Sequence, residues 1–216
     1  MKNDLQVRSV GLSAYLIEVP AADSVPSLRR YLDAGRRAGA LPGVVEIVPG
    51  ARTVLLDGQQ GELSPAMLTQ FLSSWADNRI VAETRPRLVE VPVTYDGTDL
   101  AEAAQLAEVS EEAIIALHTG TEMTVAFCGF ASGFAYIGEL PELLRLPRLA
   151  VPRTAVPAGA VAIAEEYTGI YPRQSPGGWR ILGHTPLELW DIHREEPALL
   201  SPGTRVRFIA MPGASQ

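Results

Sequence analysis

Four stretches in the second half of the chain carry residues suited to holding a small ligand: Pro152-Arg153, Thr168-Gly169-Ile170-Tyr171-Pro172, Ser175-Pro176-Gly177-Gly178-Trp179 and Gly183-His184-Thr185-Pro186. Proline fixes φ and glycine permits close backbone approach, so loops of this composition hold side chains at little ordering cost. Arg153 is the cation of the set, and a guanidinium can clamp a carboxylate or phosphate through two parallel hydrogen bonds. Tyr171 and Trp179 offer flat apolar walls with a polar edge. Gly177 and Gly178 offer backbone N–H donors. The expectation is one pocket at the surface of the fold, lined by Arg153, Thr168, Tyr171, Ser175 and Trp179, with His184 near its rim. A second role stays open to the same residues, that of shaping a surface for a partner protein.

Other chemistry is poorly provided for. Cys128 lies in the apolar run Val125-Ala126-Phe127-Cys128 and reads as a small core residue. Ser132 lacks the glycines two positions to either side that a nucleophile elbow needs, since Phe130 and Phe134 stand there. His118 falls at the end of a helical pattern, where a histidine can cap carbonyls. Asp191 and His193 are spaced to share one face of a strand, a weak metal signal. Glu165-Glu166 and Glu195-Glu196 read as surface acids. Lys2 is the sole lysine among 18 basic residues, so phosphate-loop, Schiff-base and Ser-Ser-Lys chemistries have no lysine inside the fold. A net charge of −7 argues against a nucleic-acid partner, whose phosphates call for a basic surface. One cysteine precludes an internal disulfide, no apolar run approaches the ~20 residues of a membrane helix, and the first residues lack a signal peptide's apolar stretch. The expectation is a cytoplasmic protein.

The elements that must position these residues fall into two groups. Val7 to Gly11, Ala14 to Val19, Val44 to Val48 and Thr53 to Asp57 read as strands. A helix capped by Ser24 and another opening at Ser64-Pro65 lie among them. This order predicts a small α+β sandwich over residues 1–84, ending at the polar stretch Glu83-Thr84-Arg85-Pro86. Residues 85–216 begin with a strand, Leu88 to Thr94, and two short helices capped by Asp99 and Ser110. Short apolar runs separated by Pro/Gly turns follow, which predicts a closed or nearly closed β-barrel.

Several motifs together carry a resemblance. They are Gly129-Phe130-Ala131-x-Gly133-Phe134-x-Tyr136, Pro147-Arg148-x5-Arg153, Val156-Pro157-Ala158-Gly159, Thr168-Gly169-Ile170-Tyr171-Pro172, Ser175-Pro176-Gly177-Gly178-Trp179 and Gly183-x-Thr185-Pro186. In order and spacing they resemble the family of KipI and the B component of 5-oxoprolinase, also labelled allophanate hydrolase subunit 1 and carboxyltransferase domain, subdomain C and D. The resemblance is tight from Phe127 to Asp191 and looser before Arg85. It implies an N-terminal α+β domain followed by a cyclophilin-like β-barrel. It also implies a partner of the KipA type (the C component of 5-oxoprolinase, or allophanate hydrolase subunit 2) and a third partner, the A component of 5-oxoprolinase. Together these would open 5-oxoproline to glutamate with ATP. Two alternatives accompany it: an inhibitor of a sensor histidine kinase, and a subunit of an enzyme for urea- or allophanate-type amides. The chain departs from the family pattern at Ser132, Ala160, Glu165 to Tyr167 and His184, the last where relatives commonly carry arginine.

Overall fold

The structure, a computed structural model, describes residues 5–75, 87–138 and 140–212. The expected boundary at Glu83-Thr84-Arg85-Pro86 and the lone Lys2 lie outside the described residues. By contacts the chain divides into two compact units, residues 1–85 and 86–216.

The first unit contains β1 (Gln6–Val10), β2 (Ala14–Glu18), α1 (Ser24–Arg37), β3 (Val44–Pro49), β4 (Thr53–Gly58) and α2 (Pro65–Ser73). The four strands form an antiparallel sheet in the order β1-β2-β4-β3. Helix α1 buries Val25, Leu28, Tyr31, Leu32 and Gly35, one stripe at helical spacing. Three of them, Val25, Leu28 and Leu32, join Ile17, Val54, Leu56, Leu68 and Leu72 in a single core. Ser64 caps α2 as expected, its hydroxyl accepting from the Met67 N–H at 3.2 Å. Ser24 does not cap α1. It lies inside the helix, and Asp23 occupies the cap position without a side-chain bond to the helix.

The second unit opens with β5 (Leu88–Val93), α3 (Leu100–Leu106) and α4 (Glu111–Gly120). The strands β6 (Met123–Cys128), β7 (Ala135–Gly138), β8 (Arg153–Val156), β9 (Ala160–Ala164), β10 (Tyr167–Ile170), β11 (Ser175–Gly177), β12 (Arg180–His184) and β13 (Arg205–Ala210) follow. Seven of these form one sheet in the order β12-β9-β10-β7-β6-β13-β5, and β8 and β11 form a separate two-stranded ribbon. The sheet nearly closes on itself. Thr94 and His184 exchange both backbone hydrogen bonds at 2.9 Å, and the Gly97 and Asp99 N–H groups donate to Leu182 and Ile181 carbonyls. Glycine is required on both sides of this seam. A Cβ on Gly97 would stand 2.2 Å from the Ile181 carbonyl oxygen, and one on Gly183 would stand 2.2 Å from that of Thr94.

Strand β9 has two apolar faces. Val161 and Ile163 enter the barrel's main core, while Ala160, Ala162 and Ala164 point the other way into a second, smaller core. The three methyl groups leave room there for Phe134, Val156, Tyr171 and Trp179. A bulge in β6 between Val125 and Phe127 has a matching effect. Val125 faces the main core, and the extra residue, Ala126, turns Phe127 outward onto Tyr136.

Candidate functional site

The small core is the aromatic centre of the unit. The Phe134 ring meets Phe130, Tyr136, Tyr171 and Trp179 edge-on at centroid distances of 5.1–5.5 Å. Tyr136 stacks on Phe127 at 4.3 Å and meets Tyr167 edge-on at 5.7 Å. Such contacts add to the burial of the rings themselves. Burial raises the Tyr136, Tyr167 and Tyr171 phenols above the ordinary tyrosine range. The guanidinium of Arg148 opposes that rise at Tyr136, and those of Arg148 and Arg153 oppose it at Tyr171. Two cations therefore lie close to the aromatic group.

One backbone strain marks its edge. Phe130 has φ +66°, a region that a bulky residue rarely enters. The Ala131 N–H donates to the Gly129 carbonyl at 2.7 Å, closing a three-residue turn around Phe130. This turn leaves the Phe130 side chain 58% exposed at the rim of the cluster, with Tyr171 edge-on at 6.2 Å.

The residues expected from sequence to line a pocket divide in three. Tyr171, Gly177 and Trp179 come together. The Tyr171 hydroxyl lies beside the Trp179 backbone, 2.2 Å from where a Cβ on Gly177 would be. Ser175 and Gly178 flank them on the ribbon. The Ser175 hydroxyl donates to the Arg173 carbonyl at 3.1 Å, and the Gly178 carbonyl accepts from Leu149 at 2.8 Å. Arg153 is near, at 30% side-chain exposure, but its fork is in use. One terminal nitrogen binds the buried Asp99 carboxylate and the other reaches the Trp179 carbonyl at 3.5 Å. Asp99 thus does not cap α3 with its side chain. Its second oxygen accepts the Ile181 N–H at 2.7 Å, so it ties the ribbon to β12. Glu102, one turn on, is 2.7 Å from Arg180 Nη1, an ion pair by distance although the N–H does not point at the oxygen. Asp99 and Glu102 together anchor α3 to two arginines.

Thr168 and His184 do not join the group. Thr168 is wholly buried, its hydroxyl donating to the Ala162 carbonyl at 3.1 Å and lying 2.9 Å from His118 Nε2. His184 ends β12, five residues beyond Trp179 and so roughly 16 Å along the strand. It is exposed, with Nδ1 2.8 Å from Asp96.

His118, expected to cap a helix end, is fully buried instead. Its ring stacks on Phe208 at 4.2 Å, and Nδ1 lies 2.7 Å from the Tyr95 hydroxyl. Because Thr168 spends its proton on Ala162, it must accept from Nε2–H, which leaves Nδ1 to accept from Tyr95. The chain of donors runs one way, Tyr95 to His118 to Thr168 to Ala162, and requires a neutral imidazole. Burial holds the His118 pKa at about 3. Spacing along the sequence could not reveal this, because Tyr95, His118 and Thr168 belong to three separate elements. Asp191 and His193 sit at a turn, not on a strand. The Asp191 carboxylate accepts the His193 backbone N–H at 2.9 Å and pairs with Arg194, so the spacing reflects a local turn. Among the described residues no group of three His, Cys, Asp or Glu side chains could hold a metal ion. Cys128 packs against the main core with Sγ 3.5 Å from the Leu200 carbonyl. No helix among the described residues is long and apolar enough to cross a membrane.

The sequence profile of the family "Carboxyltransferase domain, subdomain C and D" matches residues 5–200. A protein of Escherichia coli O157:H7 named as the B component of 5-oxoprolinase is 38% identical over 203 residues, 93% of this chain and 93% of that one. A protein of the same name from Haemophilus influenzae is 34% identical over 95% of this chain and 97% of its own. Among solved structures, that of TTHA0988 superimposes with a TM-score of 0.76 at 39% identity; the match covers 98% of this chain but only 41% of TTHA0988, so this chain spans about two fifths of that protein. By the profile match and by these two relatives, the chain belongs to the carboxyltransferase subdomain C and D family, which includes the B component of 5-oxoprolinase.

Proposed function

We propose that the chain is one subunit of an ATP-dependent 5-oxoprolinase-type hydrolase of the cytoplasm. It works with two others, the KipA-type C component and the A component, to convert 5-oxoproline to glutamate. The observation that carries this reading is the shared name of two relatives aligned along nearly their whole length. This chain contributes a binding surface, and the nucleophile and the nucleotide site belong to the complex. The surface we assign is the small aromatic core and its rim, where Tyr171, Trp179, Gly177 and Phe130 lie beside the guanidinium of Arg148.

The experiment is co-expression with the A and C components and an assay of ATP hydrolysis that depends on 5-oxoproline. Turnover that requires all three chains is the expected result. A complex that hydrolyses ATP with an allophanate- or urea-type amide and not with 5-oxoproline would replace this substrate with that one.

A further inference from the structure

The cation that the sequence singles out is not the one the structure leaves open. Arg153 has Asp99 and the Trp179 carbonyl on its guanidinium. Arg148 stands midway along the segment before β8 with its side chain 55% exposed, and among the described residues its guanidinium makes no hydrogen bond. Its one close charge is Glu165, with Nε 3.4 Å from Oε1, and Glu165 is itself 58% exposed. Glu165 sits in the tight turn between β9 and β10 with φ +54°, and its N–H is held by the Leu146 carbonyl at 2.7 Å. The turn therefore presents a carboxylate to Arg148 from a fixed backbone.

Beside this pair lie the two phenols of the outer aromatic face. Tyr136 and Tyr167 are half-buried rings 5.7 Å apart, and neither hydroxyl has a hydrogen-bond partner among the described residues. A half-exposed guanidinium, two phenols without partners and a wall of aromatic rings are the donors and the surface that a small, flat carboxylate needs. Phosphate esters fit less well, because the acids Glu165 and Glu166 stand at the same turn and would repel a second negative charge.

We propose that Arg148 binds the carboxylate of the small-molecule substrate, with the Tyr136 and Tyr167 hydroxyls donating beside it, and that Glu165 holds the guanidinium until that carboxylate exchanges with it. Arg153 is a structural clamp that fixes the ribbon over the aromatic core. The identity of the substrate rests on the 5-oxoprolinase reading; the carboxylate chemistry does not.

The pair makes opposite demands on two single substitutions. Removing Arg148 removes a charge-assisted contact, worth roughly tenfold to a hundredfold in affinity. Removing the Glu165 charge removes a competitor, so affinity rises. A merely structural ion pair would lose by both changes. The test is calorimetric titration of the full chain with 5-oxoproline, with cyclopentanecarboxylate and with 2-pyrrolidinone, which has the ring of 5-oxoproline without its carboxylate. We expect binding of both carboxylates and not of 2-pyrrolidinone, loss by at least tenfold in Arg148→Ala, partial recovery in Arg148→Lys, and a several-fold gain in Glu165→Gln. Arg153→Lys should lower the melting temperature and leave the affinity of the folded protein unchanged. No carboxylate binding, equal binding of 2-pyrrolidinone, or an affinity indifferent to Arg148→Ala overturns the site. Cyclopentanecarboxylate binding that follows this pattern, in a chain whose assembled complex does not turn over 5-oxoproline, keeps the site and removes the substrate.

Discussion

At the residue scale the most consequential side chain is one that the surface never sees. His118 is locked into a one-way chain of donors by Tyr95 and Thr168, and its pKa falls from 6.5 to about 3 because burial withdraws the imidazolium from water. In the unfolded chain the same residue titrates near its ordinary value. Between the two values the unfolded state holds the extra proton, so the stability His118 contributes is complete above about pH 6.5. It drains away as the pH falls toward 3. Between pH 6.5 and 4.5 that loss is roughly 2–3 kcal/mol. Urea melts at the two pH values should show it in the wild type. His118→Phe, which keeps a ring on Phe208, should flatten the dependence even if it lowers stability at both. Equal pH dependence in the two proteins would remove the histidine from this account. Nothing near His118 in the sequence marks it for burial; a helix end is as good a place for a surface histidine.

At the element scale the two-stranded ribbon of β8 and β11 acts as a lid on the alanine face of β9. Its fit depends on Gly177, whose missing Cβ makes room for the Tyr171 hydroxyl. Gly177→Ala should therefore destabilise the second unit by about 1–3 kcal/mol, the usual range for an overfilled core. Tyr171→Phe removes the clashing oxygen, so the double variant should recover part of the loss. A thermal melt of the three proteins checks this, and additive losses in the double variant would show that the clash is not the cause. The elements themselves were legible from sequence. The strands of the first unit, the Ser64 cap and both short helices of the second unit follow from turn residues, apolar spacing and the Ser110 cap, although the Asp99 side chain binds Arg153 instead of capping α3. The ribbon's role was not legible, because Ser175-Pro176-Gly177 carries no alternation that distinguishes a lid from a loop. Part of the candidate site was legible for a related reason. Tyr171, Gly177 and Trp179 are adjacent along one hairpin-like excursion, so their meeting is local. Thr168 faces away from Tyr171 and Trp179 because a strand turns successive residues to opposite faces, and the pairing of Arg153 with Asp99 is hidden from sequence by the distance between them. The same distance hid Arg148, whose neighbours come from β7 and the turn after β9.

At the scale of the whole molecule, Pro/Gly punctuation announced a barrel but said nothing of strand order. That order places β13, the latest strand in sequence, beside the earliest of its sheet. β13 lies between β6 and β5, pairing in parallel with β5 from Leu88–Arg205 through Val93–Ala210. Strand β5 therefore has no ladder neighbour until residues more than a hundred positions later arrive. Contacts so distant in sequence slow folding, because loop closure precedes any gain from them. A chain emerging from the ribosome must wait, with β5 unpaired, until Val206 and Phe208 have been made. Synthesis and folding of this unit cannot overlap much in time. A stop codon after Ser201 should give a product that partitions almost wholly into the insoluble fraction, whereas supplying residues 202–216 as a separate peptide during refolding should restore soluble protein. Soluble, cooperatively melting protein from the truncated gene alone would show that β13 is dispensable. The late strand makes the ribosome's pace, and any chaperone that shelters an unpaired edge, part of how this barrel is obtained.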